Sequence, residues 1–264
     1  MAFYGIPEED RKKVMEHTLA IIEIYQRNNQ TVLNADNMLL AMRSTRFMSD
    51  ADFNEAIQLY CHDADGVLLN NNITKFWRLH VYTWCCEQAL KLDGDLVECG
   101  VHMGLYSLVM MKTLKFANSG RNMVLYDTFE GLSEEFSSAG ERALVAGVYD
   151  IPDWEKQVRE SFSVYQNASV IKGNVPEVLA DTAPDRVSFL HLDMNAASAE
   201  IAALEFFWPR LVPGAIILLD DYGRAENLEI GEAHETWFGD KGMKILELPT
   251  GQGFVLNNQT GATS

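Results

Sequence analysis

The stretch DLVECGVHMG, residues 95–104, decides the fold: an apolar run carrying one acid stops at Gly100, and a second glycine follows at Gly104. Residues 105–116 (LYSLVMMKTLKF) then read as helix, so the stretch is a strand feeding a helix through a tight turn. The same unit recurs down the chain. Residues 122–127 (NMVLYD), 168–172 (ASVIK), 186–193 (RVSFLHLD) and 215–220 (AIILLD) are further strands, with helices expected over 153–165, 175–180 and 196–208. Strands alternating with helices specify βαβ units and a mostly parallel sheet. Two late strand-like runs, 243–248 and 253–257, are parted only by PTGQ. That gap is too short for a parallel crossover, so the last strand of this seven-stranded α/β sheet is expected to run antiparallel.

The chain divides at the start of that first strand, into residues 1–94 and residues 95–264. The earlier part reads as helical: an amphipathic helix over 11–27, a Met-rich helix over 38–48, a third over 51–60, a loop over 63–72 and an aromatic-rich helix over 74–92. Phe76, Trp77, Tyr82 and Trp84, with Met38, Met42 and Met48, are more apolar surface than one sheet face should need. Surplus apolar surface marks interfaces, so a homo-oligomer is expected, most simply a two-fold dimer.

Composition narrows the partners. With 21 Lys and Arg against 38 Asp and Glu among 264 residues, the formal net charge is −17. Such a chain lacks the basic surface that neutralises phosphates, which counts against nucleic acid. Cys61, Cys85, Cys86 and Cys99 form no C-x-x-C pair, so they read as buried reduced thiols rather than a zinc site or disulfide frame. No apolar leader opens the chain and no aliphatic run approaches a membrane span. The expectation is a soluble, cytoplasmic protein with a small-molecule ligand.

Ligands of open α/β sheets bind at the carboxyl ends of the strands, so the residues that end each run are the informative ones. In order they are Glu98-Cys99-Gly100, Asp127-Thr128, Gly173-Asn174, Asp193-Met194-Asn195 and Asp220-Asp221. The Gly100-x-x-x-Gly104 turn is either a cofactor loop or merely a tight connection, for it lacks the G-x-G-x-x-G spacing of a dinucleotide fingerprint. Asp127 suits a ribose diol or a local cap. Asp193, Asp220 and Asp221 end two strands expected to be neighbours; converging carboxylates with oxygen-only donors would select Mg²⁺, Ca²⁺ or Mn²⁺, while an ordinary cap and a solvated pair is the plainer reading. His191 shares the face of Asp193, and His102 sits inside the glycine turn. No Gly-x-Ser-x-Gly elbow is present.

Taken together, DLVECGVHMG (95–104), YDTFEGL (126–132), LHLDMN (190–195) and FFWPRLVPGAIILLDDYG (206–223) resemble the macrocin-O-methyltransferase (TylF-type) family in order and spacing. The resemblance implies a Rossmann-like class I methyltransferase, dependent on S-adenosylmethionine and Mg²⁺, that methylates a hydroxyl of a sugar or glycosylated natural product. It implies that Glu98, Gly100 and Gly104 shape the methionine end of the cofactor pocket, with Val101 and Ser107 beside them. Asp127, with Thr128 and Phe129, would hold the ribose, and Gly173 and Asn174 would lie against adenine. Asp193, Asp220 and Asp221 would be the metal ligands, and residues 1–94 a lid and dimer contact.

Three features depart from the family pattern. Asn195 stands where several members carry a second aspartate, proposed as general base, so Asp193 and Asn195 become the expected catalytic pair with the base unassigned. His102-Met103 replaces the usual Trp-Arg, and the PTGQGFVL ending differs as well. A metal-dependent methyltransferase of a catechol-like diol, a non-catalytic cofactor-binding relative and a metal-dependent phosphate-ester hydrolase are the alternatives.

Overall fold

A computed structural model describes residues 7–35, 38–61 and 75–258. Its helices are α1 (Glu8–Arg27), α2 (Ala51–Cys61), α3 (Phe76–Ala89), α4 (Leu105–Thr113), α5 (Ala139–Leu144), α6 (Trp154–Phe162), α7 (Leu179–Thr182), α8 (Ala197–Phe207) and α9 (Leu228–Asp240). The strands are β1 (Val32–Ala35), β2 (Met38–Ala41), β3 (Asp95–Cys99), β4 (Met123–Asp127), β5 (Ala168–Lys172), β6 (Val187–Leu192), β7 (Leu211–Leu219), β8 (Leu246–Glu247) and β9 (Gly253–Leu256). β1 and β2 form a hairpin, and the rest make a seven-stranded sheet in the order β5-β4-β3-β6-β7-β9-β8. The first five strands of that order are parallel, while β9 pairs antiparallel with both β7 and β8.

The sheet is apolar on both faces because helices cover both. Leu96, Leu125, Phe189 and Leu218 point toward α2, α3 and α4, where Phe53, Leu79, Tyr82, Met110 and Met111 are buried. Their neighbours Val97, Val124, Leu190 and Ile217 point to the opposite core with Leu204, Phe207 and Phe238. The pairs Leu96-Val97 and Leu190-Phe189 thus split between two cores, as the period of a strand requires. β6, central in the sheet, is buried at all six positions.

Register is what builds the site. Cys99 lies opposite Tyr126 and Leu192, and Leu192 opposite Leu219. The next residue on each strand therefore falls in one row at the carboxyl edge: Asp127, Gly100, Asp193 and Asp220.

Two expectations for the first ninety residues need correction. Residues 38–48 are not a helix: Met38–Ala41 pairs with Val32–Ala35, and Arg46–Ser49 is a single helical turn. A short apolar run carries no decisive period, and here a second such run on the far side of Asp36-Asn37 supplies a partner strand. Phe76 and Tyr82 are not surplus surface either; both are buried in the first core. The loop expected over 63–72 lies outside the described residues.

Candidate active site

A cleft of about 570 Å³, counted to its open mouth, opens at the carboxyl edge. That is the size of a site for a small ligand or cofactor. Of the residues singled out from sequence, Gly100, Asp127, Thr128, Asn174 and Asp193 line it. His102, Ser133, Phe136, Tyr149 and Trp154 close its other side. None of Ser133, Phe136, Tyr149 and Trp154 was marked by the sequence, because they come from a segment with no strand of its own.

Asp127 is clamped by backbone. Its Oδ2 accepts from the Val101 and His102 amides at 2.8 and 2.9 Å, and its Oδ1 accepts from Phe129 N–H at 2.8 Å. Burial pushes this carboxyl up while the three N–H donors pull it down, and burial wins. The clamp ties the turn after β3 to the turn after β4. Val101, Gly104, Phe129 and Gly173 are not at the cleft surface; they build the turns behind it. Gly104 heads α4 in the left-handed region, and a Cβ there would lie 2.5 Å from the Phe162 ring.

Glu98 and Ser107 face the first core instead of the cleft. Both are fully buried. Glu98 Oε2 accepts from Ser107 Oγ in a short bond and from Tyr82 OH at 3.2 Å, and its Oε1 lies 3.2 Å from His191 Nδ1. His191 in turn points Nε2 at Asp220 Oδ1, 3.7 Å away. Burial opposes a charge on His191, but the carboxylates of Asp220 and Glu98 on either side of the ring prevail and raise its pKa to about 10. Its charge lies between two carboxylates.

The third cluster joins the ends of β6 and β7. Ligand atoms of His191, Asp193 and Asp220 all lie within 4.8 Å of one another. Asp220 accepts from Arg78 Nη1 at 2.5 Å, from Gln252 Nε2 at 2.8 Å and from Tyr106 OH at 3.2 Å. Burial works against its charge, yet Arg78 and His191 hold it well below the usual carboxylate range. Asp221 Oδ1 accepts from Arg224 Nη1 at 2.9 Å, whereas its buried Oδ2 has no hydrogen-bond partner. Burial raises Asp221 in spite of Arg224, and burial together with Asp220 and Asp221 raises Asp193 further. Two guanidiniums, Arg78 and Arg224, thus offset two of three carboxylates. Asp193 and Asp220 bring ligand atoms close enough for an oxygen-preferring divalent cation and so fit one, whereas Asp221, expected as the third ligand, is not in that group, although its orphaned oxygen is the kind of atom such a cation satisfies.

Asn195 lies at φ +55°, a conformation that asparagine tolerates better than most residues. Its Oδ1 accepts from Arg224 Nη1 at 3.0 Å, and its Nδ2 donates to Tyr149 OH at 3.3 Å. Tyr149 stacks on Trp154, with rings 5.5 Å apart and 2° from parallel. Trp154 Nε1 donates to the His102 carbonyl at 2.8 Å. Burial, and then Lys75, lower the His102 imidazole to about 4, so it stands uncharged at neutral pH. Below the turn that carries Asp193 and Asn195, Glu200 Oε1 accepts from Met194 N–H at 3.0 Å.

This strand order, with the ligand cleft at the carboxyl edge and one antiparallel strand near the far edge, is that of Rossmann-like methyltransferases. The solved structure of the O-methyltransferase NovP superposes with a TM-score of 0.63 at 19% identity, over 78% of this chain and 88% of that one. The calicheamicin methyltransferase CalS11 gives 0.61 at 16% identity, over 82% and 95%. The family model described as Macrocin-O-methyltransferase (TylF) matches residues 14–242. The chain belongs to that family. A tetracenomycin 4'-O-methyltransferase of Streptomyces olivaceus, named for a 2,3-dimethoxy-α-L-rhamnosyl substrate, is 31% identical over 158 residues, 55% of this chain and 60% of that protein. The mycinamicin III 3''-O-methyltransferase of Micromonospora griseorubida is 27% identical over 158 residues, 55% and 62%. The chain therefore spans about three-fifths of the length of these curated relatives. No helix among the described residues is long and apolar enough to cross a membrane.

Proposed function

We propose that this protein is an S-adenosylmethionine-dependent O-methyltransferase that acts on a hydroxyl of a sugar or glycosylated natural product, with Mg²⁺ at the acceptor. The observation that carries it is the row Asp127, Gly100, Asp193, Asp220, which sets a nucleoside-sized cleft against a carboxylate cluster at one sheet edge. Both curated relatives are named as O-methyltransferases, one of them of a rhamnosyl compound, which supports the acceptor class.

When bound, S-adenosylmethionine supplies an electrophilic methyl group, and a divalent cation lowers the pKa of a hydroxyl it touches. The chain's own part is positioning. Asp127, Thr128 and Asn174 would hold the nucleoside, and Asp193, Asp220 and Asp221 the cation. Phe136, Tyr149 and Trp154 would keep water from the transfer, which needs the acceptor oxygen in line with the methyl. The amide at Asn195 takes no proton at neutral pH, so the hydroxyl proton would pass to a nearby histidine or, once the methyl has moved and the cleft reopens, to solvent. Residues 1–94 would serve as lid and dimer contact, the α/β part carrying the cofactor. The exposed Met15, Leu19, Ile21 and Ile24 on α1 supply apolar surface for a two-fold partner.

The experiment is calorimetry with S-adenosylhomocysteine, followed by mass spectrometry of a glycoside panel incubated with S-adenosylmethionine, with and without chelator. Binding plus cation-dependent gain of one methyl group is expected. Binding without turnover of any glycoside would leave a cofactor-binding relative, and no binding would defeat the reading. Light scattering at micromolar concentration should give twice the monomer mass.

A further inference from the structure

Glu200 and His234 are fully buried, and neither lines the cleft. Glu200 stands in the first turn of α8, the helix that follows β6, and His234 stands on α9, the helix that follows β7. Glu200 Oε1 accepts from the Met194 N–H, between Asp193 and Asn195. That half is ordinary, since an acid near a helix N-terminus satisfies free backbone donors. The other half is not. Glu200 Oε2 lies 3.0 Å from Nε2 of His234, and beyond that contact neither atom has a hydrogen-bond partner among the described residues. Burying a carboxylate oxygen against an imidazole from another helix costs desolvation on both sides, which a cap alone would not need. α9 is also seated against its own strand end. A Cβ at Gly231, one turn before His234, would lie 2.4 Å from the carbonyl oxygen of Tyr222, the residue after Asp221. The path from Asp193 to Glu200, across to His234 and back to Asp221 is thus closed away from the cleft. Arg224 supplies a second tie, donating to both Asn195 and Asp221.

We propose that Glu200 and His234 are positioning residues: their contact holds the turn that carries Asp193 at a fixed separation from the turn that carries Asp220 and Asp221, and so sets the affinity of the carboxylate site for a divalent cation. The inference rests on the cation reading of that site. Residues that orient metal ligands without touching the metal change its affinity by about 10–100-fold when replaced. The sign of the effect separates position from charge. Glu200 is close enough for its charge to act on Asp221, so its loss would weaken a cation by Coulomb attraction alone. Removing His234 takes no negative charge away, and on Coulomb grounds leaves cation binding unchanged or tighter. Weaker binding without His234 therefore reports displaced ligands.

The test uses the full chain and Mn²⁺ as the probe, an oxygen-preferring cation whose free ion is counted by electron paramagnetic resonance. His234→Leu should bind Mn²⁺ about tenfold more weakly than wild type, while S-adenosylhomocysteine affinity, read by calorimetry, holds. His234→Gln can still direct an N–H donor at Glu200 and should recover the wild-type affinity. Unchanged or tighter Mn²⁺ binding in His234→Leu overturns the proposal, as does a His234→Gln variant equally weak. An equal loss for both ligands marks general loosening and overturns it too. A second readout needs no cation: amide hydrogen exchange of residues 193–195 and 221–224. Both turns should exchange faster in His234→Leu and not in His234→Gln, although Glu200, the acceptor of the Met194 N–H, is intact in each. If wild type binds no Mn²⁺, the cation reading fails and exchange decides alone. Both turns loosened together sustains the brace, and one turn or neither overturns it. Should a stranded carboxylate keep His234→Leu from folding, the double variant Glu200→Gln/His234→Leu strands no charge, and the same exchange criterion applies to it.

Discussion

Gly100 and Asp193 meet backbone to backbone: a Cβ at residue 100 would lie 1.9 Å from the Asp193 carbonyl oxygen. Gly100 also holds φ +90°, which side chains rarely adopt. The glycine is therefore required by the closeness of the β3 and β6 ends, before any ligand enters the argument. It places the turn that leads to α4 against the strand end that carries Asp193, so the cofactor side and the carboxylate side of the cleft share one fixed contact.

Gly100→Ala should consequently damage both sides at once. The left-handed conformation alone costs about 1–2 kcal/mol for an L-residue, and the backbone overlap must be relieved by moving one strand end. The expected outcome is a lower thermal midpoint and at least tenfold weaker S-adenosylhomocysteine binding. Unchanged calorimetric affinity would show that the contact does not shape the pocket.

Arg78 is the largest structural charge on Asp220, and both side chains are mostly buried. Breaking such a pair by removing one partner costs about 3–5 kcal/mol, because the remaining charge is stranded. Arg78→Met should be destabilised by an amount of that order at neutral pH. Asp220 is held below its unfolded pKa, so the pair's stabilisation is complete above that unfolded value and is lost as pH falls below it. The gap between wild type and Arg78→Met, followed by urea denaturation, should narrow below about pH 4. A gap that widens on acidification would contradict the assignment.

Asp193 and Asp221 are shifted the other way, with a different pH signature. A carboxyl raised on folding contributes stability that is present below its unfolded pKa and lost as pH rises through its folded value. Without a divalent cation, Asp193→Asn should be more stable than wild type at pH 8 and lose that advantage near pH 4. Adding Mg²⁺ should raise the wild-type unfolding free energy by about 2.7 kcal/mol at a hundredfold excess over Kd, and leave Asp221→Asn unmoved. Equal response of both proteins would place the cation elsewhere.

The parts of the site that the sequence reveals are those carried by strand ends. β3 and β5 fall on residues 95–99 and 168–172 as read from their apolar runs, and the acids that end β4, β6 and β7 mark the row. Arg78 and Arg224 were invisible in that reading because each reaches its carboxylate from outside the strand that bears it, Arg78 across 142 residues of chain. Tyr149 joins the site through a stacked ring and one hydrogen bond, neither of which leaves a periodic trace. α9 was missed for a related reason. Gly231 interrupts its pattern, yet a Cβ there would lie 2.4 Å from the Tyr222 carbonyl, so the helix needs the residue that disguises it. Glu98 was legible as an acid and misplaced as a cleft residue, since only burial shows that its partners are Tyr82, Ser107 and His191.

Asp127 offers the sharpest mutational contrast. Both its oxygens accept from backbone N–H groups, two on one side and one on the other. No orientation of an amide satisfies that arrangement, because its NH₂ end must face either the Val101 and His102 donors or the Phe129 donor. Asp127→Asn is therefore expected to behave like Asp127→Ala, although it is nearly isosteric. Each lost bond to the charged carboxylate is worth about 1.5–3 kcal/mol. Both variants should lower the thermal midpoint as well as weaken S-adenosylhomocysteine by more than tenfold, since the clamp between the two turns would open together with the proposed ribose contact. If Asp127 served only the ribose, calorimetry and thermal denaturation would part company: affinity would fall while the midpoint of the ligand-free protein stayed where it was.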